Sequence, residues 1–241
     1  MNNNNYGNIF LGLFLGIGLS LCGYFISQTI YNSKVAVNTA EAKGLAERRV
    51  QANKANWELI FRVSSNQKEQ IPQLYADAEE RQKIIIKLLK ENGFSDSEIQ
   101  IGVIDYSQRE FRDENQKLVD QKHSLVGSII VETEQVSLVS KVRANVNSLI
   151  AQGIDIDNKS PAYTFTKLND IKPQMLSEAT KNARIAANEF AQIAGVKVGG
   201  IRNARQGNFF IRDAGENYGD TNKIEKDVRV VTTITFYLTD E

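Results

Sequence analysis

The stretch Pro161–Gly195, PAYTFTKLNDIKPQMLSEATKNARIAANEFAQIAG, decides the fold of this chain. Tyr163 and Phe165 face one way and Thr164 and Thr166 the other, which predicts a short strand. A turn at Asn169–Asp170 then leads into a long helix. Either residue can cap the first free N–H groups, Pro173 suits a first turn, and Gly195 suits a left-handed stop. Met175, Ala179, Ala183, Ala186, Phe190 and Ile193 recur at three- and four-residue steps. With Leu176, Ala187 and Ala194 they form an apolar arc of roughly 120°, wide enough to lie on a sheet. The alanines allow a close approach of the two backbones.

Before this stretch the chain begins without charge. Residues 1–33 contain no Asp, Glu, Lys or Arg, although the whole chain of 241 residues balances 29 acidic against 29 basic side chains. That balance argues against general nucleic-acid binding, which needs a basic footprint. Ile9–Ile26 is almost unbroken apolar sequence with eleven Ile, Leu or Phe residues, and Thr29–Tyr31 extends it. At 1.5 Å per residue it spans about 27–33 Å, the thickness of a hydrocarbon core. It reads as a membrane helix or signal segment, with residues 9–31 in the bilayer. A cleavable signal needs a basic start and a small-x-small site after the apolar run. The start has no Lys or Arg, and Ser20-Leu21-Cys22 is a poor site because Tyr24-Phe25-Ile26 continue the run beyond it. Leu21 also spoils a lipoprotein reading, so an uncleaved anchor over residues 1–33 is favoured. Gly12 and Gly16 give one small-xxx-small spacing, which can pair membrane helices. Cys22 is the only cysteine, which excludes an intrachain disulfide and a Cys-based metal site.

From Lys34 to Val50 the chain is mixed and extended, with Gly44 as a break. Trp57, Leu59, Phe61 and Val63 alternate with Glu58, Ile60 and Arg62 as a strand. A helix follows from Pro72 to Asn92, apolar at Leu74, Ala78, Ile85, Leu88 and Leu89. Asp77–Arg81, Glu79–Lys83 and Lys87–Glu91 are spaced for i,i+4 ion pairs on its wet side, and Gly93 ends it. Ile99, Ile101 and Val103 make the next strand. Gln108–Lys122 is a solvated hairpin loop or arm, and Leu125, Gly127, Ile129 and Val131 return. Val139, Val142, Val146 and Leu149 mark a connecting helix. After Gly195 come a strand over Val196–Ala204 with a Gly199-Gly200 bulge, a continuation at Phe209–Ile211, and a polar loop over Asp213–Lys226. Val228, Val230, Thr232, Ile234, Phe236 and Leu238 alternate to close the chain.

Strand, Pro-started helix, Gly stop, strand, polar loop and strand thus occur twice. Pro72 to Pro173 is 101 residues and Gly93 to Gly195 is 102. The expected class is α+β: a transmembrane helix, then a domain over 34–241 built from two β-α-β-β halves, about 54–132 and 161–239, with antiparallel sheets covered by long helices.

Gly44-Leu45-Ala46-Glu47-Arg48-Arg49-Val50, Trp57, Phe165–Pro173, Glu178–Arg184 and Val228-Arg229-Val230-Val231 together resemble the SIMPL-domain family, in its bacterial membrane-anchored or periplasmic members. The resemblance runs from about Val37 to the C-terminus. It implies an extracytoplasmic α+β domain, ring- or channel-like homo-oligomers in some members and a link to oxidative stress in others. It transfers no catalytic residue.

Little in the sequence suggests chemistry. His123 is the only histidine and reads as a surface residue. Asp155 and Asp157 share a face if extended, but suit a solvated turn. Asp213–Asp220 offers oxygen ligands without EF-hand spacing and reads as a hairpin loop. Arg202, Arg205 and Arg212 are expected to gather on one strand pair, where they read as a solvated face ahead of a site for an anionic ligand. No catalytic, cofactor-binding or metal residue is assigned. The leading expectation is therefore a non-enzymatic protein of the cell envelope that self-assembles. The alternative is a module binding a small molecule, peptide or envelope component. Lys34, Lys43, Arg48 and Arg49 follow the apolar run, which by the positive-inside rule favours a cytoplasmic domain. The resemblance places the domain outside, and long domains translocate largely regardless of charge. The expected location is the inner membrane, single-pass, with the domain on the periplasmic side.

Overall fold

A computed structural model describes residues 4–32 and 38–239. The expected linker positions 33–37, Lys34 among them, lie outside the described residues, as do 1–3 and 240–241. Helix α1 covers Asn4–Ile30. Its window Ile9–Ile30 has a mean hydropathy of 2.2 with none of it buried, which suits a membrane anchor or a signal sequence. The Ser20 and Thr29 hydroxyls donate to the Gly16 and Phe25 carbonyls at 2.8 Å, so neither needs water.

The rest is α+β, in the order β1 (Thr39–Gln51), β2 (Lys54–Ser65), α2 (Ile71–Glu91), β3 (Ile99–Ile101), β4 (Asp105–Arg112), β5 (Leu118–Thr133), α3 (Val136–Val146), α4 (Ser148–Ala151), β6 (Asp155–Asn158), β7 (Ala162–Thr164), α5 (Leu168–Ala194), β8 (Lys197–Gln206), β9 (Phe210–Asp213) and β10 (Glu225–Thr239). The chain divides into two compact units, each made of non-contiguous segments. One contains Met1–Ala46, Gln174–Asn208 and Val230–Glu241; the other contains Glu47–Pro173 and Phe209–Arg229.

The second of these units is built on a six-stranded antiparallel sheet. β2 and β5 pair from Ala55–Thr133 to Ser65–His123 without a break. β3 and β4 lie on the far side of β5, and β6 and β7 on the far side of β2. Alternation sends Trp57, Leu59, Phe61, Leu125, Ile129 and Val131 to one face, where they are buried with Leu74, Ala78, Ile85 and Leu89 of α2 and Val139, Val142 and Val146 of α3. Trp57 keeps its polar atom satisfied by donating from Nε1 to Asn158 Oδ1 at 3.0 Å. A side chain at Gly127 would lie 2.2 Å from the Phe61 ring, so the aromatic fills the space its cross-strand partner leaves. Of the three expected ion pairs on α2, Lys87–Glu91 forms at 3.8 Å. Arg81 instead donates to the Gly153 carbonyl, and Asp77 accepts from Gln73.

In the other unit, α5 covers a sheet in the strand order β1-β10-β8. The helix starts at Leu168, so Asn169 and Asp170 lie inside it rather than capping it, and Pro173 falls in the second turn. The proline forgoes one helical hydrogen bond there, a smaller loss near the start than at mid-helix. Gly195 ends the helix at φ +70°. The buried stripe is Met175, Ala179, Ala183, Ala187 and Ala191, a strict four-residue step. Phe190 and Ile193, expected on that stripe, are 60% and 87% exposed. A four-residue step drifts around the helix, so the covered face turns away from both of them by the last turns.

Gly44 is not a break. It lies inside β1, and a Cβ there would sit 1.8 Å from the Ala179 carbonyl oxygen and 2.4 Å from the Ala183 nitrogen. Strand and helix meet backbone to backbone, and the Asn182 side chain donates to the Leu45 carbonyl at 2.7 Å. The Gly199-Gly200 bulge is present: Phe236 pairs with Ile201 and Leu238 with Val198, so one strand carries an extra residue.

Two substitutions test this packing by thermal unfolding of the full chain. Ala183→Glu buries an unpaired carboxylate and is expected to cost about 3 kcal/mol or more. Lys181→Glu, on the exposed side, is expected to change stability by under about 0.5 kcal/mol. Gly44→Ala should cost about 1–3 kcal/mol although alanine is the better strand former, because the helix must move away. Equal melting temperatures for the two glutamate variants would place the wrong face of α5 on the sheet.

Candidate functional site

The polar loop between β9 and β10 is organised from within. Asp213 ends β9, Lys226 lies at the start of β10, and the two are cross-strand partners. Both are buried, 1% and 0% exposed, and Lys226 Nζ lies 2.5 Å from Asp213 Oδ1. The ammonium also donates to the Asp220 carbonyl at 2.7 Å. The Asn222 and Lys223 N–H groups donate to the two Asp213 carboxylate oxygens at 2.8 and 3.1 Å. Burial pushes the Asp213 carboxyl up, but these hydrogen bonds and the ammonium outweigh it and hold the group below the usual range. Gly215 and Gly219, at φ +75° and +86°, make the turns that fold the loop over the pair. The oxygen-rich sequence Asp213–Asp220 therefore already encloses a cation, which is the lysine's own.

His123 is a correction. It reads as a surface residue but is 1% exposed, because β5 begins at Leu118 and carries it inside the sheet. Nδ1 shares a 2.8 Å hydrogen bond with the Tyr106 hydroxyl, and the two rings stack at 6.1 Å. Nε2 is buried without a protein partner. Asp155 and Asp157 do share a face, but on β6 rather than in a turn. Each has its own cation: Arg62 at 4.0 Å from Asp155 and Lys159 at 2.5 Å from Asp157. Arg202 and Arg205 belong to β8 and Arg212 to β9, so they do not gather on one strand pair. Arg212 packs over the Phe210 ring at 5.8 Å.

The charged arm Gln108–Lys122 is regular structure, with β4 and β5 paired from Asp105–Val126 to Arg112–Leu118. On its outward face lies a cavity of about 220 Å³, partly open to solvent and lined by Arg62, Ser107, Arg109, Lys122, Ser124 and Val126. Three of its six lining side chains are cationic and none is acidic. Sequence reasoning missed it because Arg62 is remote from the other two in the chain. The available signal was the hairpin register, which puts Arg109 directly opposite Lys122. Among the described residues, no three His, Cys, Asp or Glu side chains come together as metal ligands.

A half-buried carboxylate just before β3 ties that strand to the end of β5. Glu98 accepts from the Thr133 hydroxyl and from the Ser95 N–H at 2.9 Å, and these bonds hold its pKa down to about 2. For a carboxylate whose folded value is depressed, stability is present above the unfolded value, near 4, and is lost as pH falls through the folded one. The urea midpoint should therefore fall steeply from about pH 4.5 towards 2, and Glu98→Gln should flatten that slope. Lys226→Met should cost about 3–5 kcal/mol at pH 7 by leaving Asp213 buried and short of its cation. A loss under about 1 kcal/mol would show that the loop does not depend on the pair.

The match to known proteins lies at family level. Comparison with curated proteins returned no match. The family model SIMPL, described as a protein of unknown function (DUF541), matches residues 41–236. That span opens in β1 and closes in β10, taking in residues of both compact units. It bears out the resemblance carried by Gly44–Val50, Phe165–Pro173 and Val228–Val231. The chain belongs to the SIMPL family.

Proposed function

We propose that this protein is a membrane-tethered, extracytoplasmic SIMPL domain that acts by assembling with copies of itself rather than by catalysis, in a cell-envelope or stress-related role. The observation that carries this reading is the outer face of the β1-β10-β8 sheet. The inner alternates of β10, Val230, Ile234 and Phe236, are buried. The outer alternates still include Val231 and Tyr237, and Leu45 on β1 joins them; Tyr237 and Leu45 are 40% and 39% exposed. One buried face does not require these residues, and a second copy would cover them. Repeated head-to-tail contacts close into rings where the rotation allows.

The tether supports the location. A helix with an apolar window of 22 residues and no buried fraction suits a bilayer, and family membership favours the extracytoplasmic side. Protease added to intact spheroplasts should digest the domain; full protection would put it in the cytoplasm. The full chain in an uncharged detergent should run as a discrete species well above its monomer mass by light scattering. Val231→Glu with Tyr237→Glu should reduce that mass without lowering the helical and strand signal. A monomer at tens of micromolar would remove the assembly reading and favour the binding module.

A further inference from the structure

We infer that the cavity on the outward face of the β2-β5-β4 sheet binds a phosphate group. The register builds it. Along β5, Val126, Ser124 and Lys122 fall on one face at every second residue, about 7 Å apart. Arg62 lies opposite Val126 on β2, while Ser107 and Arg109 lie opposite Ser124 and Lys122 on β4. The two serines thus form the floor, with Arg62 at one end and the Arg109–Lys122 pair at the other. All of these residues except Val126 are hydrogen-bond donors, and no carboxylate lines the cavity.

The charge arrangement is costly to the fold. Like charges directly opposite on neighbouring strands destabilise a sheet. Neither the Arg109 nor the Lys122 side chain has an ion-pair or hydrogen-bond partner among the described residues, and Arg62 meets Asp155 only at 4.0 Å. A bound anion would remove the repulsion, give Arg109 and Lys122 a partner, and add a second one for Arg62 beside Asp155. The donor set selects its chemistry. A planar carboxylate satisfies one guanidinium fork, whereas a tetrahedral phosphate presents oxygens to two forks, an ammonium and two hydroxyls from different sides. About 220 Å³ lies below the range of drug-sized pockets, so the ligand is compact: inorganic phosphate, a small phosphomonoester or a phosphate headgroup.

The test is thermal unfolding and calorimetry of the full chain in uncharged micelles, titrated with inorganic phosphate at constant ionic strength in chloride. The parent chain should show saturable binding and a rise in Tm of about 5–10 °C at a hundredfold excess over Kd. Lys122→Gln and Arg109→Gln should each weaken binding by about tenfold or more. Without phosphate, both variants should melt no lower than the parent, because each relieves the repulsion; a merely structural pair would lower the Tm. Arg205→Gln on β8 should bind as the parent does. A parallel arm places phosphatidic acid in the micelles. A response to that lipid alone, lost in both variants, assigns the phosphate to a lipid headgroup. No response in either arm, or binding that survives both substitutions, overturns the site.

Discussion

The unbroken register between β2 and β5 is the constraint on which the larger unit depends. Eleven consecutive pairs, from Ala55–Thr133 to Ser65–His123, decide which side of the sheet each side chain faces. A slip of one residue would send Trp57, Leu59 and Phe61 to solvent and bring Arg62 inside, so the register is heavily specified. Phe61 over Gly127 pins it, since no other pairing places the ring against a residue without a side chain. The same ladder that builds the core under α2 and α3 also builds the cationic cavity on the reverse. Core and cavity are two faces of one alternation.

The Asp213–Lys226 pair shows a different use of charge. Removing two ions from water costs several kcal/mol each, and the pair alone does not return that. Its benefit lies in the bonds around it: the Asn222 and Lys223 N–H groups and the Asp220 carbonyl all close on the two side chains. Neighbouring contacts continue the arrangement. Arg49 bonds Asp227 at 2.9 Å, holding that carboxyl below its usual range, and the Tyr163 N–H reaches the Thr221 carbonyl at 2.7 Å. A loop whose one aliphatic anchor is the half-buried Ile224 is thereby given one conformation.

Where one face of an element meets a core, the sequence was sufficient. The alternation of Trp57–Val63 and of Val228–Phe236, the glycine stops at Gly93 and Gly195, and the stripe on α2 all appear in the structure. What failed had no local signal. Gly44 looked like a break because glycine disfavours strands, and only the approach of α5 explains it. Phe190 and Ile193 fit a helical period but lie off the face that the sheet covers in the last turns. Asp155–Asn158 is too short and polar to announce a strand, and it pairs because β2 offers an edge. The cavity and the buried lysine depend on which charges a register brings together. Local patterning does not carry that.

The alanine face of α5 explains why the smaller unit would gain from a partner. Its buried cluster is Ala42, Ala183, Ala187, Ile234 and Phe236, and only the last two are large. At roughly 25 cal/mol per Å² of apolar surface, an alanine returns a small fraction of what a leucine does. The small residues instead allow strand β1 and the helix to meet backbone to backbone at Gly44, which trades buried area for closeness. Such a layer is well fitted but thin. The apolar residues left on the other face of its sheet, Leu45, Val231 and Tyr237, are the area still available to it. Covering them adds burial without enlarging the helix contact that the glycine and alanines limit.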